Sequence, residues 1–150
     1  MLTSNGKALL KINSTNTRIV NSKFKLTSGN DRTLGGQGEY VGLMTSLTAK
    51  LGSGTTEPTA DDYSLETPDS NLSLSLAINT ANTDTPSYEQ NYIFISQVTY
   101  KNNTNESITV SEIGVIGTIT GYGDVLITRD TFKPITIEPN KSYNFSVTIG

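Results

Sequence analysis

The sequence predicts an all-β fold: one antiparallel β-sandwich, jelly-roll-like or Ig-like, with long polar loops, spanning residues 1–150 as a single domain. Three observations carry this expectation. About a third of the chain is Thr, Ser or Asn, a polar and partly β-branched composition that suits half-exposed pleated surfaces better than helices. Several stretches alternate apolar and polar residues with the period of two that sends successive side chains to opposite faces of a strand. Clusters of Asn, Gly, Pro, Asp and Ser separate those stretches where a chain must turn. About a quarter of the residues are Leu, Ile, Val or Phe, above the level at which wholesale disorder sets in. A chain of 150 residues buries about 70% of the surface that its unfolded form exposes, enough for one core.

Each element follows from its own pattern. "RIVNSKFKL" and "YVGLMTSLTAKL" read as strands in the N-terminal half, although residues 41–51 also carry enough helix formers for a short helix; strand is the reading favoured. "SNLSLSLAIN" sets Leu72, Leu74, Leu76 and Ile78 on one side and Ser73, Ser75 and Ala77 on the other, a one-faced strand. "NYIFISQVTYK" has Tyr92, Phe94, Val98 and Tyr100 on one face and Ile93 and Ile95 on the other, a two-faced pattern that predicts a strand in the middle of a sheet. "ITVSEIGVIGTI" and "VLITRD" follow, joined by "TGYGD", and Pro134 in "FKPITI" lacks a ladder donor, which places that strand's start there or its path at a sheet edge. In "KSYNFSVTIG", Tyr143, Phe145, Val147 and Ile149 alternate with Asn144, Ser146 and Thr148. The joints "NNTNES" and "EPNKS" are short, and short joints between consecutive strands predict hairpins and meanders. Residues 52–70 and 80–90 read as long loops.

Charge is distributed unevenly. Residues 1–50 hold seven Lys/Arg against two Asp/Glu, whereas residues 51–100 hold seven acids and no base. The plainer reading pairs the two blocks within one fold or leaves them in solvent; the sharper one brings them together between neighbouring copies. The basic block has no dense Lys/Arg run interleaved with aromatics, so nucleic acid is not an expected partner. No segment approaches the ~20 apolar residues that span a bilayer and no apolar run of secretory length opens the chain; a soluble, unexported product with no membrane partner is expected.

The side chains also restrict chemistry. With neither cysteine nor histidine, thiolate and imidazole metal sites and the Ser-His-Asp and Cys-His nucleophile systems are excluded. The run "LGSGTTEPTADDYSLE" at residues 51–66 invites three readings. As a phosphate cradle it lacks the glycine-lysine of a P-loop, and "GGQGEYVG" spaces Gly36, Gly38 and Gly42 wrongly for a dinucleotide fingerprint. As a calcium loop, Asp61, Asp62, Glu57, Glu66 and Asp69 supply oxygens without EF-hand spacing. A two-carboxylate glycosidase has acids to draw on but no tryptophan platform. What remains is a shaped connector, with the glycine pair providing unusual backbone angles, Pro58 stiffening the turn, an Asp capping it and Leu65 anchoring it. No catalytic, cofactor-binding or metal residues are expected, and no enzyme activity.

The order of these features resembles a recurring pattern in accessory virion structural proteins of tailed bacteriophages. A G-x-G-[ST] loop with downstream Pro, Asp and Leu is matched by Gly52, Gly54, Thr55, Pro58, Asp62 and Leu65. A Glu-x-Gly strand is matched by Glu112 and Gly114, and an L-x-x-R-x-x-F-x-P-I segment by Leu126, Arg129, Phe132, Pro134 and Ile135. The similarity covers about residues 43–150; residues 1–42 lie outside it and are expected to be an attachment or strand-exchange segment. The resemblance implies a capsid accessory, decoration or head-fibre subunit that partners other virion proteins, assembles as a homo-oligomer in the bacterial host cytoplasm and resides in the virion, with no cofactor. A tail or neck component is the alternative, followed by a glycan-binding adhesive module. Glu112 and Arg129 are expected as a cross-strand ion pair, against the plainer reading that each faces solvent.

Overall fold

The alternating stretches become strands in the computed structural model, which describes residues 1–8, 22–34, 44–76, 94–119 and 121–149. Among the described residues these are β1 (Ser22–Lys25), β2 (Asp31–Leu34), β3 (Met44–Gly52), β4 (Pro68–Leu76), β5 (Phe94–Lys101), β6 (Ile108–Ile119), β7 (Gly123–Ile137) and β8 (Ser142–Ile149). One helical turn at residues 4–8 is the only helix among them, and no helix there is long and apolar enough to cross a membrane. All pairings are antiparallel, in a four-stranded sheet ordered β4-β3-β6-β7 and two-stranded sheets β1-β2 and β5-β8. The architecture is all-β and includes a curled half-barrel. Of residues 41–51, those from 44 onward are strand and not helix because β3 pairs on both edges, with β4 and with β6, and 41–43 lie outside the described residues. Ile78, Tyr92, Ile93 and the expected loop at 80–90 lie outside the described residues.

The expectation of a simple meander fails at two of its three joints. "TGYGD" does close a hairpin between β6 and β7, with Gly121 and Gly123 at φ 82° and 128°, where only glycine is unstrained. The other two joints transfer the chain between sheets: β5 pairs with β8, from Lys101↔Ser142 to Phe94↔Ile149, and β6 pairs with β7. Residues 94–149 are therefore one long antiparallel ribbon, folded across its middle at 102–107 and 138–141. Asn102, fully buried, makes that fold. Its Nδ2 donates to the Ile137 and Glu106 carbonyls at 2.8 and 2.7 Å, its Oδ1 accepts from the Thr104 N–H and hydroxyl, and its backbone bonds to Lys141 and Asn140. One amide thus satisfies both crossing strands at the bend, where ladder bonds stop.

The same bend corrects the position of β5. Among the described residues it has β8 alone as its ladder partner, and β3 and β6 hold the central places of the larger sheet. The folded ribbon lays Tyr100 of β5 and Phe145 of β8 against Leu51, Leu72, Val110 and Ile137 of the main sheet. Pro134 lies within β7 at a register shift, where three residues of β7 are taken up between the pairs Glu112↔Thr131 and Val110↔Ile135. As the terminal strand of its sheet, β7 accommodates the missing donor there.

Apolar side chains form two clusters that meet at Ile113. In one, Phe24 and Leu26 from the β1 region cover Leu47, Ala49, Val115, Ile119, Val125 and Ile127. In the other, Leu51, Leu72, Val110 and Ile137 meet Tyr100 of β5 and Phe145 of β8. All six strands from β3 to β8 contribute to this second cluster. Phe145 touches the Phe132 and Tyr143 rings at centroid distances of 6.0 and 5.0 Å, and Tyr143, at the outer end of the row, is 41% exposed.

Candidate functional site

Strand alternation sends Ile113 and Val115 of β6 into the clusters and Glu112 and Gly114 to the opposite face. There the β3–β4 connection, residues 53–67, folds over β6 and β7. Glu112 is entirely buried beneath it. Its Oε1 accepts the backbone N–H groups of Gly54 (3.2 Å) and Thr67 (2.7 Å), and its Oε2 accepts the Glu66 N–H (3.0 Å) and Arg129 Nε (3.0 Å). One carboxylate therefore gathers both ends of the loop. Arg129, 3% exposed, donates from Nη1 to Asp62 Oδ2 at 2.8 Å and from Nη2 towards Thr56 Oγ1 and Glu66 Oε2 at 3.3 and 3.4 Å. The expected pair is diagonal in the ladder, since Glu112 lies opposite Thr131 and Gly114 opposite Arg129.

Two further carboxylates tie the loop to itself. Glu66 Oε2 accepts the N–H groups of Thr55 and Thr56 and the Thr56 hydroxyl at 2.8 to 2.9 Å. Asp62 accepts the Thr59 N–H and hydroxyl. These bonds set the ionisation. Burial works to raise the Asp62 pKa, but hydrogen bonds from Arg129 and Thr59 outweigh it and hold the carboxyl below its ordinary value. The Thr56 and Thr55 donors hold Glu66 below its ordinary value. Burial likewise opposes the charge on Arg129, while bonds to Asp62 and Glu112 prevail and raise its pKa.

The residues that carry the sequence resemblance are largely one another's partners. Neither Gly52 nor Gly54 has a positive φ, which corrects the expectation of unusual backbone angles; Gly54 is glycine because Glu112 presses against it, and Gly52 because the Thr67 carbonyl and Glu112 both do. A Cβ on Gly54 would sit 2.6 Å from Glu112 Cδ, and one on Gly52 would sit 2.5 Å from its Oε1. Gly114 is small because Leu65, 4% exposed, occupies the space above it, where a Cβ would meet Leu65 Cδ2 at 2.7 Å. Thus Glu112 holds the loop's backbone and Gly114 receives its apolar anchor. Thr55 and Asp62 bind Glu66 and Arg129 respectively, Phe132 and Ile135 pack on the second cluster, and Pro58 is half-buried in the loop with no part in the ion pairs.

Glu66 as an organiser of the loop, Thr56, and Ser111, whose hydroxyl donates to the Gly54 carbonyl at 2.9 Å, were not anticipated as members of this unit. A carboxylate eleven residues beyond Thr55, across a single Gly/Pro-rich loop, was the available signal for Glu66. Asp62 and Glu66 are paired by Arg129, from the last third of the chain, while from the basic first third Lys25 approaches the loop through the Tyr63 ring, 4.3 Å from its centroid.

An open depression lies over the unit, bordered by Thr59, Asp61, Tyr63 and Ser64 with Arg129 at its floor. All three side-chain nitrogens of Arg129 already face protein oxygens, which leaves no fork for a phosphate or carboxylate ligand. Asp62 and Glu66 are shifted downwards, opposite to the direction a general acid at neutral pH requires. Among the described residues no three acidic side chains converge as metal ligands would. No protein-family model matches the chain, and neither a curated protein nor a solved structure matches it.

Proposed function

We propose that this chain is a structural subunit of a bacteriophage virion, a capsid accessory or head-fibre protein with a sandwich-like β domain that acts by protein–protein assembly. One observation carries the reading: Glu112, Arg129 and Asp62 of the virion-protein pattern, joined by Glu66, spend their hydrogen bonds on the shape of loop 53–67. A long loop held this way offers a pre-ordered surface, and pre-ordering lowers the entropy lost on docking. Repetition around a symmetric particle then makes many weak contacts strong, which favours a homo-oligomer with virion proteins as partners. Quantitative mass spectrometry of purified particles tests it. Copy numbers in proportion to the capsid lattice support a capsid position, and numbers near those of a tail or portal ring support a tail or neck component. Absence from the particles removes the proposal.

A glycan-binding module is the second reading, favoured by Tyr63 beside the hydroxyls of Thr59 and Ser64 in the open depression, since a tyrosine ring can stack on a sugar. Lys25 already covers part of that ring. Glycan-array binding that is lost in Tyr63→Ala, with folding intact, would favour this reading over assembly.

A further inference from the structure

Among the described residues β7 ends the four-stranded sheet, and a strand edge outside the ladder is a template for further pairing. Over part of its length this edge is covered by the beginning of the chain. Leu2 forms an antiparallel bridge with Thr128, the Thr3 N–H donates to the Ile127 carbonyl at 2.9 Å, and the Arg129 N–H donates to the Met1 carbonyl at 3.0 Å. Thr3, fully buried, fastens the segment: its hydroxyl donates to the Leu126 carbonyl at 2.6 Å and accepts from the Gly6 N–H at 2.9 Å, capping the helical turn. Gly6 then lies directly on the backbone of Ile127, with no space for a Cβ, and Leu2 and Ala8 pack on the first apolar cluster.

This segment lies along β7 and reaches β1, its next strand along the chain, through the side chain of Asn5, which donates to the Lys25 carbonyl and accepts from the Lys25 N–H. Residues 9–21 lie between, and at full extension they span up to ~43 Å, against a radius of gyration of about 15 Å for a compact chain of this length. Their contour is long enough to deliver residues 1–8 to the same edge of a touching neighbour. The contacts made would be identical in either arrangement, so the choice depends on concentration. Exchange prevails when the local concentration of copies exceeds the effective concentration of the chain's own segment, which for a tethered segment is on the order of millimolar, and subunits in contact on a particle reach that range.

We propose that residues 1–8 are an exchangeable strand, and that in the assembled state they occupy the β7 edge of a second copy of this chain. The proposal takes from the reading above only that copies meet at high density. It can fail while that reading stands, if the copies assemble through other surfaces, and it can hold for a chain that never enters a virion.

The chain has no cysteine, which permits a direct test. Paired antiparallel residues lie within disulfide reach. Leu2→Cys and Thr128→Cys chains are prepared separately, mixed at ~1 mM, held in sub-denaturing urea to release the segments, and oxidised. Disulfide-linked dimers on a non-reducing denaturing gel are expected, since neither chain alone contains the pair. Only monomers from the mixture, while the Leu2→Cys/Thr128→Cys double variant closes within one chain, would overturn the proposal. Equal yields with Thr136→Cys in place of Thr128→Cys would overturn it as well, by showing random collision. A measurement on unsubstituted protein guards against misfolded variants. ¹⁴N- and ¹⁵N-labelled chains are mixed and treated with an amine cross-linker joining Lys7 to Lys25, which flank the Asn5–Lys25 hydrogen bond. Mixed-isotope cross-links support exchange, and same-isotope links alone refute it.

Discussion

Replacing Glu112 with Gln changes almost no volume and removes one charge, so it isolates what the carboxylate contributes. Four N–H groups converge on its two oxygens. An amide presents one oxygen, and its NH2 group faces two of those donors with donors of its own. Whichever way the amide turns, two N–H groups lose their acceptor: those of Gly54 and Thr67, or those of Glu66 and Arg129. A buried donor left without a partner costs about 1–3 kcal/mol, and breaking a buried ion pair by removing one partner costs about 3–5 kcal/mol. Arg129 retains Asp62 and Glu66, which limits the second cost. The expected loss is about 3–5 kcal/mol, a large fraction of the 5–15 kcal/mol typical of a domain. It should lower Tm by about 6–20 °C. Urea titration followed by circular dichroism should show the midpoint falling with an unchanged slope. A loss below about 1 kcal/mol would refute the reasoning, because it would mean that the four donors find equivalent partners without the carboxylate.

Further outcomes follow from the same geometry. The Asp62 and Glu66 carboxyls lie below their ordinary values of 3.8 and 4.5 in the folded chain, so their stabilisation is complete above those values and is lost as pH falls through the lower folded-state ones. Denaturation midpoints should decline in that acid range, and Asp62→Asn should flatten the decline; an Asp62→Asn profile parallel to the wild type would contradict this. Gly54→Ala should cost about 3 kcal/mol by displacing Glu112, and much less in a Glu112→Ala background; additive losses in the double-mutant cycle would show that the two do not touch. Gly121→Ala, with nothing within 4 Å of the new Cβ and φ at 82°, should cost about 1–2 kcal/mol through backbone strain alone. Asn102→Ala should cost about 2–3 kcal/mol by orphaning groups on both crossing strands, and an Asn102→Ala protein as stable as the wild type would remove this residue from the bend.

Local pattern revealed strands better than their partners. The run at 108–119 was legible to the residue because turn residues bound it on both sides, and it became β6. The two-residue period says which face a side chain takes, but not which strand lies alongside. Short joints therefore suggested a meander, while the bend between the β5–β8 and β6–β7 halves of the ribbon is held by the side-chain amide of Asn102, one of fourteen asparagines in the chain. The loop lock was partly legible: the spacing of its glycines, Asp62, Leu65, Glu112 and Arg129 could be read from the sequence, but the reason for the glycines could not. A glycine excluded by close approach and a glycine needed for positive φ look alike in one dimension. Thr3 and Gly6 gave no signal, because their partners on β7 lie more than a hundred residues away.

The account rests on loop 53–67 being a fixed surface despite its length and polar composition, and amide hydrogen exchange resolved by NMR measures that directly. The N–H groups of Gly54, Thr55, Thr56, Glu66 and Thr67 all end on carboxylate oxygens, so their protection should approach that of the β3 and β6 ladder amides and collapse in Glu112→Gln. Exchange of these five amides at the rates of an open loop, with the ladder amides still protected, would contradict the claim that Glu112 and Arg129 lock this surface in place.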